Sequence, residues 1–330
     1  MLFTPAIIAL FAGSLITSGL LVAAAGYGVQ ILRHWDLESG SELQLKLERQ
    51  TYLVSTLVAY AFAFELLSLF LFIYTADNLH TFFVGAMCAA GSLNANPWGY
   101  PVIIFRMVNF LLAGLWLIVN YTDNKGYDYP LIRMKYALLL VIAPLIVAET
   151  VVQAKYFFGL EPEVITSCCG ALFSSQGASV AADIIAFRQG PLELVFGVTM
   201  VLLLGLGVFV YRTGRGGYFF AAAAFLAFLV SMASFISFIS IYIYELPTHH
   251  CPFCVLQREY FFIGYPYFLT LLGGAITGLG VGLLHPYRET RSLKGILPGI
   301  QQRLILFSLI FFVSFTAMAV LQIIFSNLTM

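Results

Sequence analysis

Apolar residues in this chain run on for roughly 20 positions at a time, separated by short polar segments. Runs of that length mark helices that span a bilayer. Eight stand out, at about 3–32, 52–75, 101–121, 135–154, 192–211, 218–244, 260–284 and 304–325. Lipid-exposed strands would alternate in hydrophobicity instead. The first run opens MLFTPAIIALFAGSL with no basic residues ahead of it and continues for about 30 residues to Arg33. That is too long for the apolar core of a cleaved signal, so a retained, tilted helix is expected.

Composition agrees. With 61% hydrophobic residues, 10% charged residues and a mean hydropathy of +0.92, the chain has too little polar surface to cover a soluble globule of 330 residues. The expected fold class is an all-α polytopic membrane protein of about eight transmembrane helices, with the lipid bilayer as its main partner. Formal charge balances at zero and no block of like charge occurs, so nothing points to nucleic acid.

Lys and Arg set the expected orientation. Twelve of the 16, from Arg33 to Arg303, fall in the connections after helices 1, 3, 5 and 7, whereas Arg106, Lys155, Arg188 and Arg258 lie on the other side. The positive-inside rule then places both termini outside, as for a multi-pass protein of a bacterial inner membrane. All five cysteines fall on that outer side: Cys88 between helices 2 and 3, Cys168 and Cys169 between 4 and 5, Cys251 and Cys254 between 6 and 7. In an oxidising compartment such thiols can form disulfides, exchange them or capture soft metals. An odd number leaves at least one thiol free, shared or paired with another molecule.

Three divisions of the chain are expected: a first four-helix half (1–154), an outer cap (155–191) carrying the Cys168–Cys169 pair, and a second four-helix half (192–330). Gly-Tyr-Pro recurs at Gly99 and Gly264, an offset of 165 residues, each time opening the third helix of its half. This suggests a four-plus-four parallel repeat. The segment SELQLKLERQ puts Leu43 and Leu47 on one helical face, with Glu42 and Lys46 four apart, so an interfacial helix is expected, although its Leu alternation also fits a strand.

The densest chemistry is HHCPFCVLQREY, residues 249–260. Pro252 suits a first helical position, where its missing N–H is harmless. Helix 7 is therefore expected to start here, with Cys251, Cys254 and Arg258 along one face. A helix N-terminus and a nearby cation would both favour thiolate, and His249 and His250 could add charge or shuttle protons. Two His and two Cys within six residues also supply the donors of an alternative metal site, against a reading of the histidines as solvated loop residues and of the cysteines as a structural disulfide. Adjacent Cys168 and Cys169 can close only a strained ring, so a metal grip, a labile disulfide or one bonded and one reduced thiol are the readings there.

Cys251-Pro-Phe-Cys254-Val-Leu-Gln257-Arg258, followed by Tyr260, resembles the C-x-x-C-x-x-[QE]-R segment of bacterial disulfide-bond oxidases of the DsbB/BdbC type, mechanistic relatives of the vitamin K epoxide reductases. The resemblance implies a quinone cofactor, with Cys254 as the quinone-facing thiolate, Arg258 and Gln257 at the quinone, and Cys251 as the exchanging sulfur. It implies a second pair drawn from Cys88, Cys168 and Cys169, and a periplasmic thioredoxin-like or thiol-bearing partner. A guanidinium beside a quinone oxygen would stabilise the charge that develops on reduction.

Charges within the spans are expensive in hydrocarbon and should face the bundle. Arg106 and Glu149 fall at similar predicted depths and are expected to pair, whereas Glu65 has no partner at its depth and is the candidate for proton uptake or a polar cavity. Three functions remain open. They are a membrane thiol oxidoreductase coupling outer-face thiols to a lipid quinone, a soft-metal (copper, zinc or mercury) transporter or binding protein, and a structural subunit braced by disulfides.

Overall fold

All eight apolar runs are helices; seven extend beyond their run at one end or both, and the seventh helix starts four residues inside its run. In the computed structural model, which describes residues 4–36, 39–162, 164–166, 184 and 189–328, the spanning helices are α1 (Pro5–His34), α2 (Glu42–Asn78), α3 (Gly99–Asp123), α4 (Ile132–Phe158), α5 (Gln189–Thr213), α6 (Gly217–Tyr244), α7 (Gly264–Leu284) and α8 (Leu297–Phe325). No strand occurs among the described residues; one isolated parallel bridge joins Val84 to Ile165. The chain is an all-α polytopic membrane protein.

Two local expectations change. SELQLKLERQ is neither a separate interfacial helix nor a strand but the first turns of α2, a helix of 37 residues. At 1.5 Å per residue α2 is about 55 Å long, well over the thickness of a hydrocarbon core. Gln44, Leu47 and Thr51 form its buried face there, and Leu43 is exposed. The Gly-Tyr-Pro tripeptides do open α3 and α7, at Gly99 and Gly264. Pro in a first turn has no N–H to leave unbonded, so the tripeptide acts as a helix-start signal in both places.

The chain divides into two units, one from residues 1–72, 96–160 and 287–300, the other from 73–95, 161–286 and 301–330. In the first unit α4 packs against both α1 and α3. Its core is built on Trp116, fully buried and edge-on to Phe62 at 5.1 Å. The indole N–H donates to the Lys135 carbonyl at 3.0 Å, the partner that a buried Trp requires.

In the second unit α6 packs against both α5 and α7. The α6–α7 contact is made by small residues: Gly278 faces Ala224, and Gly282 faces Ala221. A β-carbon at Gly282 would fall 2.5 Å from that of Ala221, so the absence of side chains lets the backbones approach, as in many membrane helix pairs. Gly282→Val is expected to lower stability by ~1–3 kcal/mol through overpacking, seen as an earlier unfolding midpoint in mixed micelles.

Candidate three-cysteine site

The site lies in the second unit, on the connections leaving α2 and α6. After α2 ends, a 3₁₀ turn at Leu79–Phe82 leads to Gly85, whose φ of +85° and approach to the Thr166 carbonyl exclude a side chain. Thr166 in turn donates its backbone N–H to the Val84 carbonyl at 2.9 Å. Cys88 follows in extended conformation as the N-cap of a short helix, Ala89–Leu93.

The other strand of the site departs from expectation. Cys251 and Cys254 do not open α7. Cys254–Leu256 and Arg258–Tyr260 are single 3₁₀ turns. Phe261 and Phe262 then adopt left-handed conformations (φ 53° and 57°) before α7 begins at Gly264. Two successive left-handed residues cannot lie inside a right-handed helix. The thiols therefore lack the long helix N-terminus that favoured thiolate, and Arg258 is not carried one turn beyond Cys254 but is exposed.

The fold brings together three sulfurs that sequence separates widely. Cys88 Sγ lies 3.6 Å from Cys251 Sγ, and the sulfurs of Cys88, Cys251 and Cys254 are all within 4.8 Å of one another. Their exposures are 0%, 0% and 5%. Cys168 and Cys169 lie outside the described residues.

A polar clamp holds the two connections in register. The Asp77 carboxylate, in the last turn of α2, accepts from the Ala89 backbone N–H and from the Gln257 side-chain amide, both at 3.0 Å on Oδ1. Gln257 donates as well to the Met87 carbonyl at 2.9 Å. The bonds at Met87 and Ala89 flank Cys88, so Gln257, expected at a quinone, is engaged in fixing the third cysteine beside the motif. Asp77 was not singled out by sequence reasoning. Its signal is electrostatic: a carboxylate at a helix C-terminus opposes the helix dipole and must be held by donors elsewhere. Asp77→Ala removes two hydrogen bonds to a charged group, each worth ~1.5–3 kcal/mol. Cys88 is then expected to alkylate at least ~10-fold faster, the factor that 1.4 kcal/mol of easier opening corresponds to.

Aromatic and imidazole rings line the motif. Tyr244, at the end of α6, donates its hydroxyl to the Cys251 carbonyl at 2.5 Å and stands edge-on to His249 and Tyr260, at 4.3 and 4.8 Å. His250 is buried, with Nδ1 3.1 Å from the Ile236 carbonyl. Ile236 belongs to a π turn, Phe235–Ile239, in the middle of α6, a distortion that frees carbonyls from the helical ladder and recurs at functional sites. Burial pushes the His249 pKa down, with Cys88 opposing the shift and His250 adding to it. Neither imidazole nitrogen joins the three sulfurs in one donor set among the described residues.

Glu65 belongs to the first unit, in a separate polar cluster. Arg106 and Glu149 form the expected ion pair, at 3.4 Å. Glu65 is not alone at its depth: Ser68, one turn further along α2 and also buried, accepts from Arg106 at 2.7 Å, which puts Glu65 on the helix face that meets the Arg106–Glu149 pair.

No protein-family model, curated protein or solved structure matches this chain. What fold and site define is a class: a polytopic helical membrane protein with, among the described residues, eight span-length helices and a buried cluster of three cysteines.

Proposed function

We propose that this is a soft-metal-binding membrane protein, with Cys88, Cys251 and Cys254 as its thiolate ligands and copper(I) as the ion that suits them best. The observation that carries this is the third buried sulfur. With metal–sulfur bonds of about 2.3 Å, ligand sulfurs stand about 3.8 Å apart in a tetrahedral site and about 4.0 Å apart in a trigonal one. The spacings here, from 3.6 Å to at most 4.8 Å, bracket those values. A disulfide requires 2.05 Å. Soft thiolates select copper(I) or zinc over harder ions, and three of them make a complete set for a trigonal ion. The clamp on Cys88 and the Tyr244 bond to Cys251 act as the outer contacts that orient metal ligands. On the positive-inside reading, the cluster faces the outer side of a bacterial inner membrane with both termini outside, where it would collect the ion for storage or transfer.

The contact between Cys88 and Cys251 favours a second reading, the quinone-linked thiol oxidoreductase. A Cys251–Cys254 disulfide would be attacked by the Cys88 thiolate, forming Cys88–Cys251 and releasing Cys254 as thiolate; exchange with an outer dithiol protein would then reduce the site and oxidise the partner. Reoxidation of Cys251 and Cys254 would pass two electrons and two protons to a lipid quinone, giving quinol. Nothing in the placement of Arg258 beside Cys254 supports the quinone contact that the motif resemblance implies.

One experiment divides them. Reduced, anaerobic protein is offered chelator-buffered copper(I) in one sample and ubiquinone in another, followed by metal counting, X-ray absorption at copper and mass-spectrometric mapping of thiols. One copper per chain in an all-sulfur shell, with thiols unchanged by quinone, is expected. No retained copper together with a quinone-driven Cys251–Cys254 disulfide would overturn the metal reading and establish the second.

A further inference from the structure

The first unit holds a second set of buried ionisable groups, in mid-span rather than at a connection. Four helices contribute: Ser14 and Ser18 from α1, Glu65 and Ser68 from α2, Arg106 and Asn109 from α3, and Glu149, Thr150 and Gln153 from α4, all buried. Arg106 donates to the Ser68 hydroxyl at 2.7 Å and to the Gln153 side-chain oxygen, and pairs with Glu149. The Asn109 amide donates to the other Glu149 oxygen at 2.6 Å. From α1 only hydroxyls face the cluster, Ser14 on Gln153 and Ser18 on Thr150. The titratable and charged groups are thus Glu65, Glu149 and Arg106.

Arg106 and Glu149 alone would be a neutral pair, a sufficient solution for a structural cross-link. Glu65 is then surplus. As a carboxylate it would leave a net negative charge in hydrocarbon, next to a second carboxylate. With one cation, Arg106, facing two buried carboxyl groups, charge balance therefore requires one proton for the pair.

A second observation concerns what else faces the cluster. Arg106 Nε, Asn109 Oδ1 and Gln153 Nε2 are buried and find no hydrogen-bond partner among the described residues. Two donors and one acceptor, left open around two carboxyls, are the partners an internal water needs. Such a water would give a proton somewhere to go.

We propose that Glu65 and Glu149 form a proton-binding site, sharing one exchangeable proton with Arg106 as fixed counter-charge and internal water as its carrier. The site is independent of the cysteine cluster. Releasing the proton leaves an uncompensated charge among apolar helices, so deprotonation must draw in water or move a helix, and occupancy is coupled to conformation.

Infrared difference spectroscopy on the full chain in lipid vesicles tests this. Wild type minus Glu65→Gln at neutral pH should show the loss of one carboxylic-acid C=O stretch per chain, and the wild-type band should shift in heavy water. Glu149→Gln should remove or displace the same band. A wild-type spectrum without a carboxylic-acid band at neutral pH, a measurement that needs no variant to fold, would overturn the proposal. So would a folded Glu65→Gln protein, with wild-type thermal stability, whose carboxylic-acid region equals that of wild type. A structural ion pair would move neither the band nor its isotope shift.

Discussion

Cys88→Ser is expected to weaken copper(I) binding by more than about 100-fold while leaving the protein folded. Loss of a residue that merely supports a ligand costs 10–100-fold in metal affinity, and Cys88 is a proposed ligand. Serine is close in size, and its oxygen is a hard donor that does not replace a soft thiolate for this ion. The change also keeps the groups that the clamp holds, the Ala89 backbone N–H bonded to Asp77 and the Met87 carbonyl bonded to Gln257. Competition against a copper(I) chelator measures the effect. An affinity within threefold of wild type would remove Cys88 from the ligand set and leave a two-thiol motif, for which disulfide chemistry is then the better account. Cys251→Ser and Cys254→Ser should each give losses of similar size, because a trigonal site has no spare ligand.

Cys88 is also where sequence reasoning reaches its limit. The spans were legible because a bilayer demands about 20 continuous apolar residues, and no tertiary knowledge is needed to see them. The meeting of Cys88 with Cys251 is not legible, since 163 residues separate them and nothing local to Cys88 marks it as a partner of the motif. Sequence names Cys88, Cys168 and Cys169 as the source of a second pair; the fold brings Cys88 to the motif, and Cys168 and Cys169 lie outside the described residues. The motif's own conformation was misjudged for a different reason. Pro252 permits a helix start without compelling one, and the left-handed pair Phe261–Phe262 has no signature in two aromatic residues, which rarely adopt that conformation. Depth measured from the ends of the apolar run leaves Glu65 without a partner. α2 overruns that run at both ends, so the apolar window gives a length but not a register.

Lys135→Met is expected to destabilise the protein by about 3–5 kcal/mol, the usual consequence of stripping one partner from a buried ion pair. Lys135, in the first turn of α4, places Nζ 2.6 Å from Asp123 Oδ2, and both side chains are fully buried. The other carboxylate oxygen accepts the Leu131 backbone N–H at 2.8 Å, so Asp123 both neutralises the lysine and closes the connection from α3 to α4. Methionine fills the space of the lysine stem but leaves the carboxylate without its cation in a dry environment. The double variant Asp123→Asn with Lys135→Met should recover most of the loss. Asparagine keeps an acceptor for Leu131 and carries no charge, and neutral replacement of both members of a buried pair is often close to free of cost. Unfolding of the three proteins in mixed micelles, read by Trp116 fluorescence beside the pair, gives the comparison. If the single variant lost less than about 1 kcal/mol, the range of an exposed pair, water would have to reach Asp123, and the α3–α4 connection would be a hydrated end of the first unit instead of part of its core.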